Sequence, residues 1–412
     1  MKAVNRRGFL KGTGMVAGGL LVESISGRAA LGQTKEPIKI GFPVPLTGPY
    51  GPEAADQVAG ATLAFEEFNA RGGVLGRKVE LIVRDDQLKP GIGAQRAKEL
   101  IENEKVHFMS GVLAAHIQMA VNEQTKNAKM IYFSISQSNE ITAVPDWSPW
   151  TFHEAINPHI TSQAVGSWAV DKLGKRVFVL YADYAFGRQL LEGFKKIVEA
   201  KGGALVGAIP HPLGATDYSG FFPRIRDAKP DVLVLANFGK DQLNSVKQAH
   251  SFGLKKELKL LCPVLLMTTR REAGAEVFEG VYGGTSFYWE LAERIPSAKR
   301  FVEAFQKRWG RPPIDYAGYA YSAIRILLES VERVGTIDSD KVAKGLEGLV
   351  YDTYKGRQWI RKCDHQSLQD VYILRSRGPR DQKGDWGVFE IVATIPASEA
   401  LERSCKALGH EA

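Results

Sequence analysis

From Pro37 onward, short apolar runs and amphipathic stretches alternate along the chain. Ile38 to Leu46 reads as a strand. Over 53–69, Ala54, Val58, Ala61, Leu63, Ala64, Phe65 and Phe68 recur at the spacing of one helix face. Arg71-Gly72-Gly73-Val74-Leu75-Gly76 then turns the chain, and Val79 to Val83 is a second strand ending in Arg84-Asp85-Asp86. A helix over Gly93–Glu102, a strand over Val106–Ser110, a helix over 115–127 and a strand over Met130–Ser134 follow. The cycle resumes with strand Val177–Tyr181, helix 187–200, strand Ala204–Ile209 and helix 217–228. Strand Val232–Ala236, helix 240–251 and strand Leu258–Leu266 complete it. Short apolar strands alternating with amphipathic helices predict an α/β fold of doubly wound parallel sheets, covered on both faces.

The pattern occurs in two runs, 38–136 and 177–266, separated by Thr142–Trp150, a Pro-rich break well suited to a crossing between lobes. After 296 helices dominate, over Ala298–Trp309, Tyr316–Val334 and Ser339–Leu349. Strands return at Val371–Arg375 and Val388–Thr394. The expected assembly is two lobes joined by multiple hinge crossings. Residues 36–153 plus 290–354 form the first lobe, and 154–289 plus 355–412 the second. Such hinges close around ligands.

Ahead of this pattern, Asn5-Arg6-Arg7-Gly8-Phe9-Leu10-Lys11 resembles the twin-arginine export motif. A modest apolar stretch from Met15 to Val22 follows, far shorter than the ~20 apolar residues that cross a bilayer. With the small-residue exit Ala30-Leu31-Gly32, residues 1–32 are expected to be a cleaved signal peptide. The mature protein is then periplasmic, with no stable membrane insertion. Of 412 residues, 44% are hydrophobic and 24% charged, the balance of a globular protein. The net charge of +8 suggests a basic protein, but Lys2, Arg6, Arg7, Lys11 and Arg28 against Glu23 alone supply half of it. With no basic run of five or more, no nucleic-acid partner is expected.

Export permits disulfides. Cys262 falls in the apolar run Leu258–Cys262 and reads as buried. Cys363 and Cys405 are the disulfide candidate; a bridge would staple the C-terminal tail and stabilise by about 3–4 kcal/mol. Three unpaired thiols are the alternative. No Cys or His spacing suits a metal, and no metal or cofactor is implied.

Catalytic signatures are absent: no Gly-x-Ser-x-Gly, no phosphate loop ending in Gly-Lys-Ser/Thr, no His-Glu-x-x-His. Gly91-Ile92-Gly93 supplies two of the three dinucleotide glycines and reads as a helix start. Asp85-Asp86 reads as a strand-end turn, and His153 and His159 have no third ligand near them. An exported hydrolase would need a nucleophile with a base, and Ser134 and Ser136 have no evident histidine partner. The chain is not expected to be an enzyme.

Ligands of open parallel sheets bind at the carboxyl ends of strands, where helix N-termini present unpaired N–H groups. Pro45–Pro52, Ser110–His116, Ser134–Asn139, Ala182–Gly187 and Asn237–Gly239 are the segments at those ends. They carry a resemblance. Ile40-Gly41-Phe42 with Pro45-Leu46-Thr47-Gly48-Pro49-Tyr50-Gly51 resembles the opening of the branched-chain-amino-acid (leucine-binding-protein-like) family of periplasmic solute-binding proteins, the receptors of ABC importers. Arg71-Gly72-Gly73-Val74-Leu75-Gly76-Arg77, Asp85-Asp86, Tyr184-Ala185-Phe186-Gly187 and Gly280-Val281-Tyr282-Gly283-Gly284 are similar to later landmarks, in the same order, over 37–395.

The resemblance implies a type I periplasmic binding fold without catalysis or cofactor. Two lobes close on one small solute, and the closed form docks on a membrane permease. Ligand contacts are implied at Tyr50, Gly51, Ala115, His116, Gln137 and Ser138 in the first lobe, and at Tyr184, Phe186 and Phe238 opposite. Amino-acid binders usually place serines where Ala114, Ala115 and His116 stand, and those hydroxyls help hold an α-carboxylate. The change points away from leucine, isoleucine and valine. Within the class of amino acids, aromatic or other organic acids and amides, it favours a flat or apolar body with a polar end. A monomer is expected. The alternative function is a ligand-sensing subunit for a membrane signalling receptor.

Overall fold

The apolar segment that opens the pattern becomes β1 (Ile38–Val44), almost wholly buried, with β2 (Val79–Asp85) and β3 (Phe108–Gly111) parallel on either side. The computed structural model describes residues 35–411, so the expected signal peptide lies outside the described residues. With β4 (Tyr132–Ser134) and β5 (Thr151–His153), these strands form a parallel sheet of order β2-β1-β3-β4-β5. Parallel neighbours need crossovers, and α1 (Gly51–Ala70), α2 (Pro90–Glu102) and α3 (Ala115–Asn127) supply the first three.

The chain then crosses through α4 (Pro158–Thr161) and α5 (Ser167–Lys172) into a second sheet. Its successive elements are β6 (Arg176–Ala182), α6 (Ala185–Ala200), β7 (Ala204–His211), α7 (Phe222–Asp227), β8 (Val232–Ala236), α8 (Gly239–Ser251) and β9 (Lys259–Cys262). After α9 (Met267–Ala273) and α10 (Ala275–Phe278) comes β10 (Tyr282–Thr285). The helices α11 (Pro296–Trp309), α12 (Asp315–Val334) and α13 (Ser339–Leu346) follow. A small antiparallel sheet comes next, β11 (Val350–Tyr351), β12 (Gln358–Ile360) and β13 (Ser367–Leu368). Finally β14 (Val371–Ser376) and β15 (Phe389–Ile395) complete the second sheet, β15-β14-β10-β9-β8-β6-β7, parallel except for those last two strands. The molecule is thus α/β with parallel sheets in two lobes, as the alternation predicts.

Three local expectations change. The strand expected over 258–266 stops at Cys262, because Pro263 has no N–H to continue the ladder. The helix expected over 217–228 is α-helical only at Phe222–Asp227, after one tighter turn at Ser219–Phe221. The 142–150 segment does not carry the chain between lobes; Thr151–His153 first adds a fifth strand to the first sheet.

Helix α12, separated by more than two hundred residues from α1, lies directly against it. A Cβ on Gly60 would stand 2.0 Å from the Ala317 carbonyl oxygen, so only glycine allows this backbone approach. Within the stretch 355–412, β14 and β15 join the second sheet, whereas His365 accepts at its carbonyl from the His153 N–H of the first. The tail also returns to the first sheet's connections: Leu408 accepts from the Val144 N–H, and Arg403 donates to the Asn139 carbonyl at 2.8 Å. A disulfide joins Cys363 to Cys405, with Cα atoms 5.9 Å apart, and holds this tail; Cys262 is a buried free thiol.

Candidate functional site

Four helices begin at the seam between the lobes, each directly after a strand. Their N-cap residues are Tyr50 for α1, Ala114 for α3, Tyr184 for α6 and Phe238 for α8, and none makes a side-chain cap. First-turn N–H groups and positive dipole ends therefore face the seam from both lobes. Gly239 permits the close approach. Its φ is +55°, and a Cβ there would meet the Tyr50 ring at 2.6 Å.

Tyr50, Leu113, Ala115, Gln137, Tyr184, Phe186, Phe238 and Tyr316 enclose a cavity of about 10 Å³, room for one water. The aromatic rings fill the rest. Phe238 packs edge-on against Tyr50 at 4.9 Å and against Tyr316 at 5.3 Å between centroids. The Tyr50 and Tyr184 hydroxyls lie 3.2 Å apart across the seam, and Gln137 Nε2 donates to the Tyr316 hydroxyl at 3.2 Å. Gln137 Oε1 is buried without a partner. A larger groove of about 470 Å³ lies beside α12 and Val350–Thr353 and shares no residue with this set.

Of the positions implied by the resemblance, Tyr50, Ala115, Gln137, Tyr184, Phe186 and Phe238 line this cavity. Gly51, His116 and Ser138 do not. Gly51 sits under the Leu46 carbonyl, and Ser138 turns its hydroxyl to Glu140 at 2.7 Å. His116 stands one layer back, its ring edge-on to Tyr184 at 5.3 Å. Leu113 and Tyr316 are additional wall residues. The exit of β3 was the sequence signal for Leu113; Tyr316 carried none, because it lies in a helix far along the chain.

None of the eight wall residues is basic. Burial pushes the phenols of Tyr50, Tyr184 and Tyr316 well above their ordinary range, so all three are neutral hydrogen-bonding groups. Burial likewise lowers the His116 pKa, leaving a neutral imidazole. Behind the walls stand buried carboxyls. Burial raises Glu53 to about 7, against a hydrogen bond from Thr268. Asp315 is raised to about 7 and Asp241 to about 6 by the same cause. Aromatic walls, neutral hydroxyls, one amide and uncapped N–H groups suit reversible binding of a flat or apolar body with a polar end. Among the described residues, no cluster of three or more His, Cys, Asp or Glu could hold a metal, and no helix is long and apolar enough to cross a membrane.

The profile of the periplasmic binding protein family matches residues 37–384. The Leu/Ile/Val-binding protein homolog 6 of Brucella melitensis biotype 1 is 26% identical over 363 residues, covering 86% of this chain and 90% of that protein. An amino acid ABC transporter substrate-binding protein from Pseudomonas fluorescens Pf-5 superposes with a TM-score of 0.84 at 25% identity, covering 92% of this chain and all of that one. A solute-binding protein of an ABC transporter from Rhodopseudomonas palustris BisB5, solved with 3,4-dihydroxybenzoic acid, gives 0.79 at 26% identity, covering 88% and 98%. With two sheets meeting at a shared, aromatic-walled seam, the chain belongs to the periplasmic binding protein family, whose members bind solutes and are not enzymes.

Proposed function

We propose that this chain is the exported receptor of an ABC-type importer, capturing one small organic solute between its lobes and delivering it to a membrane permease. The observation that carries this reading is the meeting of Tyr50 and Tyr184, at two helix starts on opposite lobes, over a cavity too small for a solute. Only a parting and re-closing of the lobes admits a ligand, so ligand shifts the open–closed balance toward closure. Residues 1–32 serve as a twin-arginine signal in this reading. The lobes are 36–153 plus 290–354 and 154–289 plus 355–412.

The solute is an aromatic or other organic acid, an amide or an amino acid, with the aromatic body against Tyr50, Tyr184, Phe186 and Phe238. Support comes from the aromatic walls and from the dihydroxybenzoic acid in the Rhodopseudomonas protein. Ala114 and Ala115, which offer no hydroxyl, argue against leucine, isoleucine and valine.

A thermal-shift screen against amino acids, aromatic acids, dicarboxylates and small amides tests this. At a hundred times its Kd a ligand stabilises by ~2.7 kcal/mol, a readily measured rise in Tm. A rise with one chemical class supports the reading; no rise with any member of the panel counts against it.

A further inference from the structure

Besides the aromatic contacts, the lobes meet through two carboxylates of the first lobe and two hydroxyls of the second. Glu53, in the first turn of α1, is 1% exposed and accepts from the Thr268 hydroxyl on α9. Asp315, at the start of α12, is 6% exposed and accepts from the Thr285 hydroxyl on β10 at 3.0 Å. Glu53 Oε2 is buried with no partner at all.

Around Glu53, cations are engaged elsewhere. On its own helix, Asp56 takes the guanidinium of Arg311, which comes from the segment before α12. On α9, Arg271 stacks over the Trp386 ring at 3.3 Å, and Arg270 turns away to Ser376, the Arg377 carbonyl and Gln382. From α12 the facing groups are Asp315 and Tyr316, and the Tyr50 phenol stands one turn before Glu53 on α1. Lys355 faces Asp315 but donates to the Ser286 carbonyl and Gln369. A carboxylate enclosed among acids and hydroxyls, with no cation of its own, is costly to keep ionised.

We infer that Glu53 is a proton-linked latch: lobe closure draws its carboxyl from water into the seam against Thr268, takes up a proton, and is therefore favoured as pH falls. This rests on the two-lobe capture reading above. The sign follows from the buried state. Burial raises Glu53 from 4.5 to about 7, so closure carries the full desolvation cost above that range and loses it progressively as pH falls through it. The hydroxyl of Thr268 works in the opposite sense, stabilising the ionised form.

The pH arm of the test needs no ligand; a solute found by the thermal-shift screen enters only as the control for closure. A fluorophore pair on Lys98→Cys and Lys195→Cys, on exposed helix surfaces of the two lobes, reports the open–closed ratio in the otherwise unaltered protein. The native cysteines are bridged or buried, so labels go to the introduced ones. Glu53 by itself is expected to raise the closed-to-open ratio ~30-fold from pH 8 to pH 5.5. Glu53→Gln should markedly reduce the rise, leaving the part carried by Asp315, and Glu53→Gln combined with Asp315→Asn should hold the ratio nearly constant over that range. Thr268→Val, which keeps the carboxyl and removes its donor, should move the midpoint to higher pH; it serves if Glu53→Gln does not fold. A ratio indifferent to pH, or one whose rise is undiminished in Glu53→Gln, overturns the latch. A pair distance that shortens with a solute but ignores pH overturns the latch alone. One that moves under no condition overturns the capture reading with it.

Discussion

The hydroxyls of Tyr50 and Tyr184 lie 3.2 Å apart although the residues are 134 positions apart in sequence and begin helices on opposite lobes. Two phenols held neutral by burial thus form a direct contact between lobes, one that a solute displaces in the capture reading. Tyr184→Ala removes this contact and the ring beside Phe186 and His116. It should abolish the solute-dependent rise in Tm. Isothermal titration with the solute found by screening checks this; unchanged affinity would remove Tyr184 from the site.

The bridge between Cys363 and Cys405 closes a separation of 42 residues and fastens the tail that bonds to Asn139 and Val144. Loop entropy assigns such a bridge about 3–4 kcal/mol. Cys363→Ser with Cys405→Ser should lower the unfolding free energy by that amount in urea titrations. The parent protein in reductant should match the double variant.

Gly60 is where α1 and α12 touch backbone to backbone. Gly60→Ala forces the helices apart, because the added methyl would overlap the Ala317 carbonyl. The expected cost is about 1–3 kcal/mol, read as a lower urea midpoint with an unchanged m-value. A neutral result would mean that the helix pair slides freely.

His365 is buried, stacked flat on Phe152 at 4.2 Å, with Nδ1 3.0 Å from the Thr151 carbonyl oxygen. Burial lowers its pKa from 6.5 to about 4. The unfolded chain therefore takes the proton first. The contribution of neutral His365 is fully present above 6.5 and is lost as pH falls from there toward 4. The full difference is about 3 kcal/mol. His365→Asn, tolerated at the left-handed φ of +61°, should show a smaller fall in Tm between pH 7 and pH 4.5 than the parent protein. An equal fall would place the acid sensitivity elsewhere, for instance at His153.

The alternation of β1, α1 and β2, the helix at 115–127 and the strand at 232–236 were legible because local period decides them: side chains repeat every two residues in a strand and every three to four in a helix. The starts of α1, α3, α6 and α8 were legible for the same reason, since each follows an apolar strand. By itself, then, the sequence determined an α/β chain in two runs and a set of strand-end loops. Which of those loops meet was decided by tertiary structure. Tyr316 joins Gln137 across 179 residues, and Thr268 joins Glu53 across 215, because sheet order and the α1–α12 contact bring them together. No local pattern encodes either pairing. Gly51 and Ser138 show the converse. They lie in segments named from the sequence, yet the first lies under the Leu46 carbonyl and the second bonds to Glu140, because helix phase and neighbouring polar groups decide where a side chain points. The small edge strand β5 escaped the pattern too, because its three residues lack the apolar run, Met130 to Phe133, that marked the equally short β4. The physical division is between short-range preference, which is written along the chain, and burial against distant partners, which exists only once both lobes have folded.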